Sequence, residues 1–180
     1  MVRQWRAADP AFQVSINKSP VQFRSRRCRQ EDWLDYLDAI GLSADAVVLE
    51  VTEGLLFGAD AAEVRQLTGF RRTGMQIAID DFGTGYSSLA YIKKFDIDYV
   101  KIDQSFTQNL EADSDQLVLC EAIIVMSHKL GIQVVAEGVE TARQRDLLRQ
   151  VGCDYAQGYF FARPLPPEEF AALLDSDTAD

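Results

Sequence analysis

The sequence predicts an α/β fold: a TIM-like (β/α) barrel, incomplete at its N-terminus, with residues 1–180 forming a single domain. Three observations predict it. Six short apolar runs each end in a polar or charged residue at the same phase: FQVSIN at Asn17, AVVLE at Glu50, QIAIDD at Asp80, IDYVKID with Lys101, IQVVAE at Glu137 and CDYAQG with Gln157. Helix-like stretches follow most of these runs. The polar ends recur about every 20 to 36 residues, the span of a strand and its return helix.

Each strand is amphipathic in the same sense. Successive strand residues point to opposite faces, so Val14 and Ile16 oppose Ser15 and Asn17, and Val47 and Leu49 oppose Val48 and Glu50. Likewise Ile77 and Ile79 oppose Ala78 and Asp80, Val100 and Ile102 oppose Tyr99 and Lys101, and Val134 and Ala136 oppose Val135 and Glu137. VRQWRAADP reads as the tail of a helix entering the strand of Asn17. Further helices are expected near 30–41, 60–73, 87–95, 114–130, 141–151 and 167–174. Gly41, Gly74, Gly131 and Gly152 stand where four of these turn back toward a strand. Asp113 or Ser114 caps the helix near 114–130, and Thr141 the one near 141–151. A doubly wound sheet would concentrate its polar residues at one switch point. Here they stand at every strand end, which favours a barrel. A full eight-unit barrel takes about 250 residues and rarely fewer than about 200. The 180 residues hold six or seven units, and the chain reads as beginning inside a fold.

Charge and composition narrow the chemistry. With 28 acidic against 18 basic residues and a net charge of −10, the chain is unsuited to the backbone of DNA or RNA. A phosphorylated substrate stays compatible if metal ions stand between phosphates and carboxylates. The basic run Arg24, Arg26, Arg27 and Arg29 reads as a solvated surface before a helix. Three cysteines, Cys28, Cys120 and Cys153, form no metal-binding spacing and fit a reducing cytoplasm. The one histidine, His128, lies in a helical stretch, and a Ser-His-Asp or Cys-His mechanism would rest on it alone. No apolar run approaches the roughly 20 residues of a membrane span.

The chemistry gathers in four segments: Glu50-Val51-Thr52-Glu53, Asp80 to Ser88, Lys101-Ile102-Asp103, and Glu137-Gly138-Val139-Glu140. Hard divalent cations take oxygen ligands. Asn17, Glu50 and Asp80 are expected to form one oxygen cluster, with Asp81 and Glu137 holding a second cation or a water. Two metals can activate water and stabilise the leaving oxygen of a phosphodiester. Lys101 would add a fixed positive charge. Asp81-Phe82-Gly83 imitates a kinase motif, but no HRD-type loop accompanies it. Gly83-Thr84-Gly85 is a weak match to a phosphate-binding turn and suits a mobile loop beside the site. Glu53 lies past its strand and is placed to accept hydrogen bonds from that loop.

Asn17-Lys18-Ser19, LEVTE, IAIDDFGTGYSSLAYI, DYVKID, VVAEGVET and QGYFFARPLP, in this order and spacing, resemble the EAL-domain cyclic-di-GMP phosphodiesterases of bacteria. The resemblance runs from about Trp5 to Leu174. It implies hydrolysis of cyclic-di-GMP to the linear dinucleotide pGpG with Mg²⁺ or Mn²⁺, two ions in all. It implies that Asn17, Glu50 and Asp80 are metal ligands and that Asp81 binds the second metal or orients water. Lys101 matches the catalytic lysine, and Glu137 a general base or second-metal ligand. Glu53 matches the residue anchoring the loop, while Glu140 and Gln157 match supporting positions. Gly83, Thr84 and Gly85 fall in the ligand-side loop. Arg163 and Pro164 match a contact to the guanine end of the ligand. Attachment to GGDEF or sensory domains in a longer protein, and a cytoplasmic domain even where that protein is membrane-anchored, also follow from the resemblance.

One departure bears on activity. The Glu-Ala-Leu motif that names the family, whose glutamate is another metal ligand, is absent from the sequence. The chain as written is therefore expected to be an open barrel with an unpaired edge beside Asn17, inviting a homodimer, and to hydrolyse poorly. The alternative from another class is a receptor module that binds cyclic-di-GMP without cutting it. An unrelated metal-dependent barrel lyase is a third reading.

Overall fold

The computed structural model describes residues 1–24, 30–85, 92 and 95–177. Six strands form one all-parallel sheet: β1 (Val14–Asn17), β2 (Val47–Thr52), β3 (Gln76–Phe82), β4 (Tyr99–Ile102), β5 (Gln133–Ala136) and β6 (Tyr155–Ala156). They lie in sequence order, β1 to β6, with β1 and β6 as the edges among the described residues. Consecutive parallel neighbours without a reversal of order make a barrel wall rather than a doubly wound sheet. This is the incomplete barrel expected from the alternation.

Register fixes which residues share the concave side. Ser15 is level with Val48, Glu50 with Ala78, Ala78 with Tyr99, and Lys101 with Val135. All of these line one cavity of about 310 Å³, with Tyr155 and Gln157 closing its far side. The opposite face is apolar and dry. Leu49, Val51, Ile77, Val100 and Ile102 are fully buried under Leu67 and Phe70 of the helix after β2 and Cys120 and Ile124 of the helix after β4. Burial of each large apolar side chain contributes about 1.5–3 kcal/mol, so the outer face is what holds the wall together.

The helices are α1 (Val2–Ala8), α2 (Pro20–Arg24), α3 (Gln30–Ala39), α4 (Glu53–Gly58), α5 (Ala61–Arg72), α6 (Gln104–Thr107), α7 (Asp115–Lys129), α8 (Ala142–Gln150) and α9 (Pro167–Asp177). Gly41, Gly74, Gly131 and Gly152 all adopt positive φ at the expected helix exits. Ser114 caps α7, and Thr141 caps α8 through a capping box with Gln144. Asp60 forms a second capping box with Glu63 at the start of α5. The helix expected near 87–95 falls largely on residues outside those described, as do Arg26, Arg27, Arg29 and Cys28. Arg24 is mostly exposed, yet its Nε pairs at 3.0 Å with the buried Glu63. No helix of the described residues is long and apolar enough to cross a membrane.

Two features were not legible in the alternation. Lys18, on the outward phase after Asn17, is buried, with Nζ 5.0 to 5.2 Å from the ring centroids of Phe23, Trp33 and Phe70. Such rings stabilise a desolvated ammonium through their quadrupoles. At the strand entries, Asp98 accepts from the Ile77 amide at 2.8 Å and Asp154 from the Val134 amide at 2.7 Å. His128 spends its Nε2 on the same Asp154 oxygen at 2.8 Å, at the end of the sheet away from the carboxylates.

Candidate active site

The strand exits bring the acidic residues to one place. Lys101, on the concave phase of β4, points its Nζ between Glu50 at 3.0 Å, Asp80 at 2.8 Å and Glu137 at 2.7 Å. All four side chains are at least 85 % buried, so the contact is poorly screened. Burial alone would lower the Lys101 pKa. The hydrogen bonds to Asp80, Glu137 and Glu50 overcome that and hold it well above the ordinary lysine value, so the ammonium is permanently charged.

The oxygens of Asp80, Asp81 and Glu137 come within 4.8 Å of one another, a spacing that one divalent cation can span. Strict alternation would send Asp80 and Asp81 to opposite faces. A β-bulge prevents this. Between the pairs Ile79–Val100 and Phe82–Ile102, β3 carries one more residue than β4, and Asp81 takes up φ +55°. Bulges next to active sites re-aim side chains in this way. Aspartate tolerates the left-handed region better than most residues.

The carboxylates divide differently from the sequence expectation. Glu50 is level with Ala78, two residues before Asp80, so it lies deeper in the barrel and joins the others through Lys101. Asn17, level with Glu50, is exposed at the end of β1. Asp103, which follows Lys101 by two, is near enough for its charge to act on Asp81. Burial raises the Asp81 pKa, and the neighbouring charges of Asp80 and Asp103 raise it further against the pull of Lys101. Glu137 is also raised, first by burial, with Lys101 opposing and Asp80 and Glu50 adding to it.

The surrounding residues are tied to this group. Gln157 Nε2 donates to Glu137 Oε1 at 2.7 Å. Glu53 Oε2 accepts from the Gly83 and Gly85 amides, both at 3.3 Å, and Thr84 Oγ1 donates to the Asp81 carbonyl at 2.8 Å. Two of the loop's amides thus face a carboxylate. A second cavity of about 500 Å³ opens beside Glu137, lined by Gln104, Glu140, Gln157, Tyr159 and Pro164 among others. Arg163 sits over the ring of Tyr159 at 4.6 Å. Sequence reading missed Thr107 and Gln144, which secure the segment carrying Glu137. The Thr141-x-x-Gln144 capping-box spacing was the available signal.

Among the described residues the two cysteines are sheltered, Cys120 fully and Cys153 in part. Burial pushes Cys120 and Cys153 up to about 11. In a Cys28→Ser variant at pH 8, both should react with a disulfide probe at least roughly 100-fold more slowly than free cysteine, and denaturant should abolish the difference. Rapid native labelling of either would contradict this burial.

The fold and the site define a class: a parallel (β/α) barrel with its polar chemistry gathered at the strand C-termini, the catalytic end of such barrels. The EAL domain model matches residues 1–164, and the chain belongs to the EAL domain family. It is 43 % identical over 146 residues to cyclic di-GMP phosphodiesterase NbdA of Pseudomonas aeruginosa, covering 79 % of this chain and 19 % of that protein. Among solved structures it resembles the PaMucR phosphodiesterase–c-di-GMP complex, with a TM-score of 0.87, 34 % identity, and coverage of 94 % of this chain and 68 % of the other. It also resembles the manganese/cy-diGMP complex of Klebsiella pneumoniae BlrP1, with a TM-score of 0.79, 33 % identity, and coverage of 91 % and 41 %. The chain spans about a fifth of the length of the first curated relatives it matches.

Proposed function

We propose that this site hydrolyses cyclic-di-GMP to the linear dinucleotide pGpG with divalent metal. One observation carries the reading: a permanently charged lysine held among Glu50, Asp80 and Glu137, beside the converging oxygens of Asp80, Asp81 and Glu137. A donor set of carboxylate oxygens suits Mg²⁺ or Mn²⁺ and not a soft metal. Asn17, Glu50, Asp80, Asp81 and Glu137 would hold the ions. When bound, such ions lower the pKa of water and offset phosphate charge.

The chain's own groups then have distinct work. The Lys101 ammonium fixes the attacking water or a phosphate oxygen. Glu137, its pKa raised by burial, takes the water's proton. The water oxygen bonds to phosphorus, the bond from phosphorus to the ribose 3′-oxygen breaks, and the proton taken by Glu137 is passed through solvent water to that oxygen. Gln157 orients Glu137 by donating to Oε1. Tyr159 and Pro164 line the second cavity, where a guanine would lie, and Arg163 stacks on the Tyr159 ring.

The test is incubation of the purified protein with cyclic-di-GMP and Mn²⁺ or Mg²⁺, with products resolved by chromatography. Metal-dependent release of pGpG is expected. Tight binding with no product would favour the receptor alternative, and neither binding nor turnover would overturn both readings.

Glu53 is expected to act through the loop. Glu53→Ala removes the acceptor of the Gly83 and Gly85 amides and should lower turnover about 10-fold while leaving Mn²⁺ bound. Loss of the metal itself on this substitution, measured by Mn²⁺ titration, would make Glu53 a ligand.

A further inference from the structure

We infer that Thr107 and Gln144 form a clamp that positions Glu137; this rests on the reading of Glu137 as part of the hydrolytic centre. The regular ladder between β4 and β5 ends at the bond from the Glu137 amide to the Ile102 carbonyl, 3.1 Å. The carboxylate therefore projects from the first residue beyond the sheet, where a strand exit is ordinarily free to move. Two buried polar side chains hold it there. Thr107, fully buried at the end of α6, donates its hydroxyl to the Glu137 carbonyl, with the Gln104 carbonyl as a weaker partner at 3.0 Å. Gln144, 6 % exposed in the first turn of α8, uses both ends of its amide. Its Nε2 donates to the carbonyls of Thr107 at 2.8 Å and Gln108 at 3.3 Å. Its Oε1 accepts from the amides of Glu140 at 2.8 Å and Thr141 at 2.9 Å.

The two side chains join the element after Lys101 to both ends of the segment 137–141. Gly138 closes the gap between them: a Cβ there would stand 2.6 Å from Gln104 Cβ and 3.2 Å from Thr107 Oγ1. The 2.7 Å contact of Lys101 with Glu137 is thus fixed from behind by buried groups. Buried and satisfied amides of this kind are rigid, because breaking one bond leaves a desolvated polar group without a partner. Groups that orient a metal-binding or catalytic carboxylate commonly carry 10- to 100-fold effects when removed.

Thr107→Val keeps the shape and removes the hydroxyl; Thr107→Ser keeps the hydroxyl. Thr107→Val is expected to lower kcat about 10- to 30-fold and to weaken Mn²⁺ binding about 10-fold. KM for cyclic-di-GMP should stay within about twofold, since the clamp is buried, and Thr107→Ser should restore both losses. Gln144→Met acts on the same clamp from the other side and leaves Thr107 in place. Its expected loss is about three- to tenfold, and it serves where Thr107→Val does not fold by circular dichroism. Mn²⁺ affinity is read by electron paramagnetic resonance, independently of turnover. If the unaltered protein binds Mn²⁺ but produces no pGpG, the proposed reaction fails, and the Mn²⁺ titrations of the Val and Ser variants still decide the clamp. Turnover and Mn²⁺ affinity within twofold of the unaltered protein in Thr107→Val, with only melting temperature lowered, would overturn it. So would an equal loss in Thr107→Ser.

Discussion

Lys101→Met is expected to remove turnover by about 100- to 1,000-fold while leaving divalent metal bound. Methionine matches the side chain as far as Cε and deletes its charged end. Glu50, Asp80 and Glu137 then face one another, largely buried, without the ammonium they share. Removing one partner of a buried ion pair costs about 3–5 kcal/mol, mostly from the charges left behind. The metal-free variant should therefore melt well below the unaltered protein at pH 8. The sign of the pH dependence follows from the carboxylates. Mutual repulsion raises their folded pKa values above those of the unfolded chain, as burial already does for Glu137. Ionised, they destabilise the fold; as pH falls through the raised values they take up protons and the penalty is relieved. The gap in melting temperature between variant and parent should shrink from pH 8 toward pH 5, and Mn²⁺ at pH 8 should shrink it too. Scanning calorimetry at the two pH values, with and without Mn²⁺, checks this. An unaltered melting temperature at pH 8 without metal would show that the ion-pair group contributes nothing to the fold.

Asp80→Asn should produce the opposite pattern: metal lost, fold kept. Asp80 belongs both to the Lys101 group and to the oxygen set with Asp81 and Glu137. An amide of the same shape still accepts from Lys101, and Glu50 and Glu137 still neutralise the ammonium, so the melting temperature should move by only a few degrees. What disappears is one anionic ligand at one of the two positions, Asp80 and Glu137, that both groups share. Mn²⁺ affinity is expected to fall more than about 100-fold. Turnover should fall at least about 1,000-fold, because water activation depends on the bound ions. Mn²⁺ titration and chromatographic assay of pGpG check both numbers. Retained metal affinity with lost activity would move Asp80 from ligand to a role beside Lys101. Read together, the two substitutions separate a charge that acts on the substrate from a charge that holds the ions.

The barrel wall was legible in the sequence because alternation is a strong signal when one face is fully apolar. Ile77 and Ile79 could pack only outward, so Ala78 and Asp80 had to face the lumen, and the register bears this out. The positive-φ glycines at the helix exits were legible for the same reason: glycine adopts φ that other residues resist. The convergence of Asp81 on Asp80 was not, because a bulge breaks the period on which the reading rested. Nor was the burial of Lys18, since lysine on an outward phase reads as a solvated side chain until three distant aromatic rings are brought around it. The depth difference between Glu50 and Asp80 is a matter of strand register, which no single strand records.

The two ends of the wall are under unlike obligations. At the strand entries Asp98 and Asp154 seize neighbouring backbone amides, and Arg71 Nη2 grips Asp98 Oδ1 at 2.9 Å, far from any reacting group. At the exits Glu50, Asp80 and Glu137 are committed to Lys101, Glu53 to the loop, and Thr107 and Gln144 to the Glu137 segment. The entries therefore contribute to heat resistance without serving turnover, whereas the Lys101 group at the exits serves both. Random variation that reaches the entries should change how long the protein survives without changing how fast it works. A designer seeking a hardier version would begin there, and would have no need to disturb the end where the phosphate arrives.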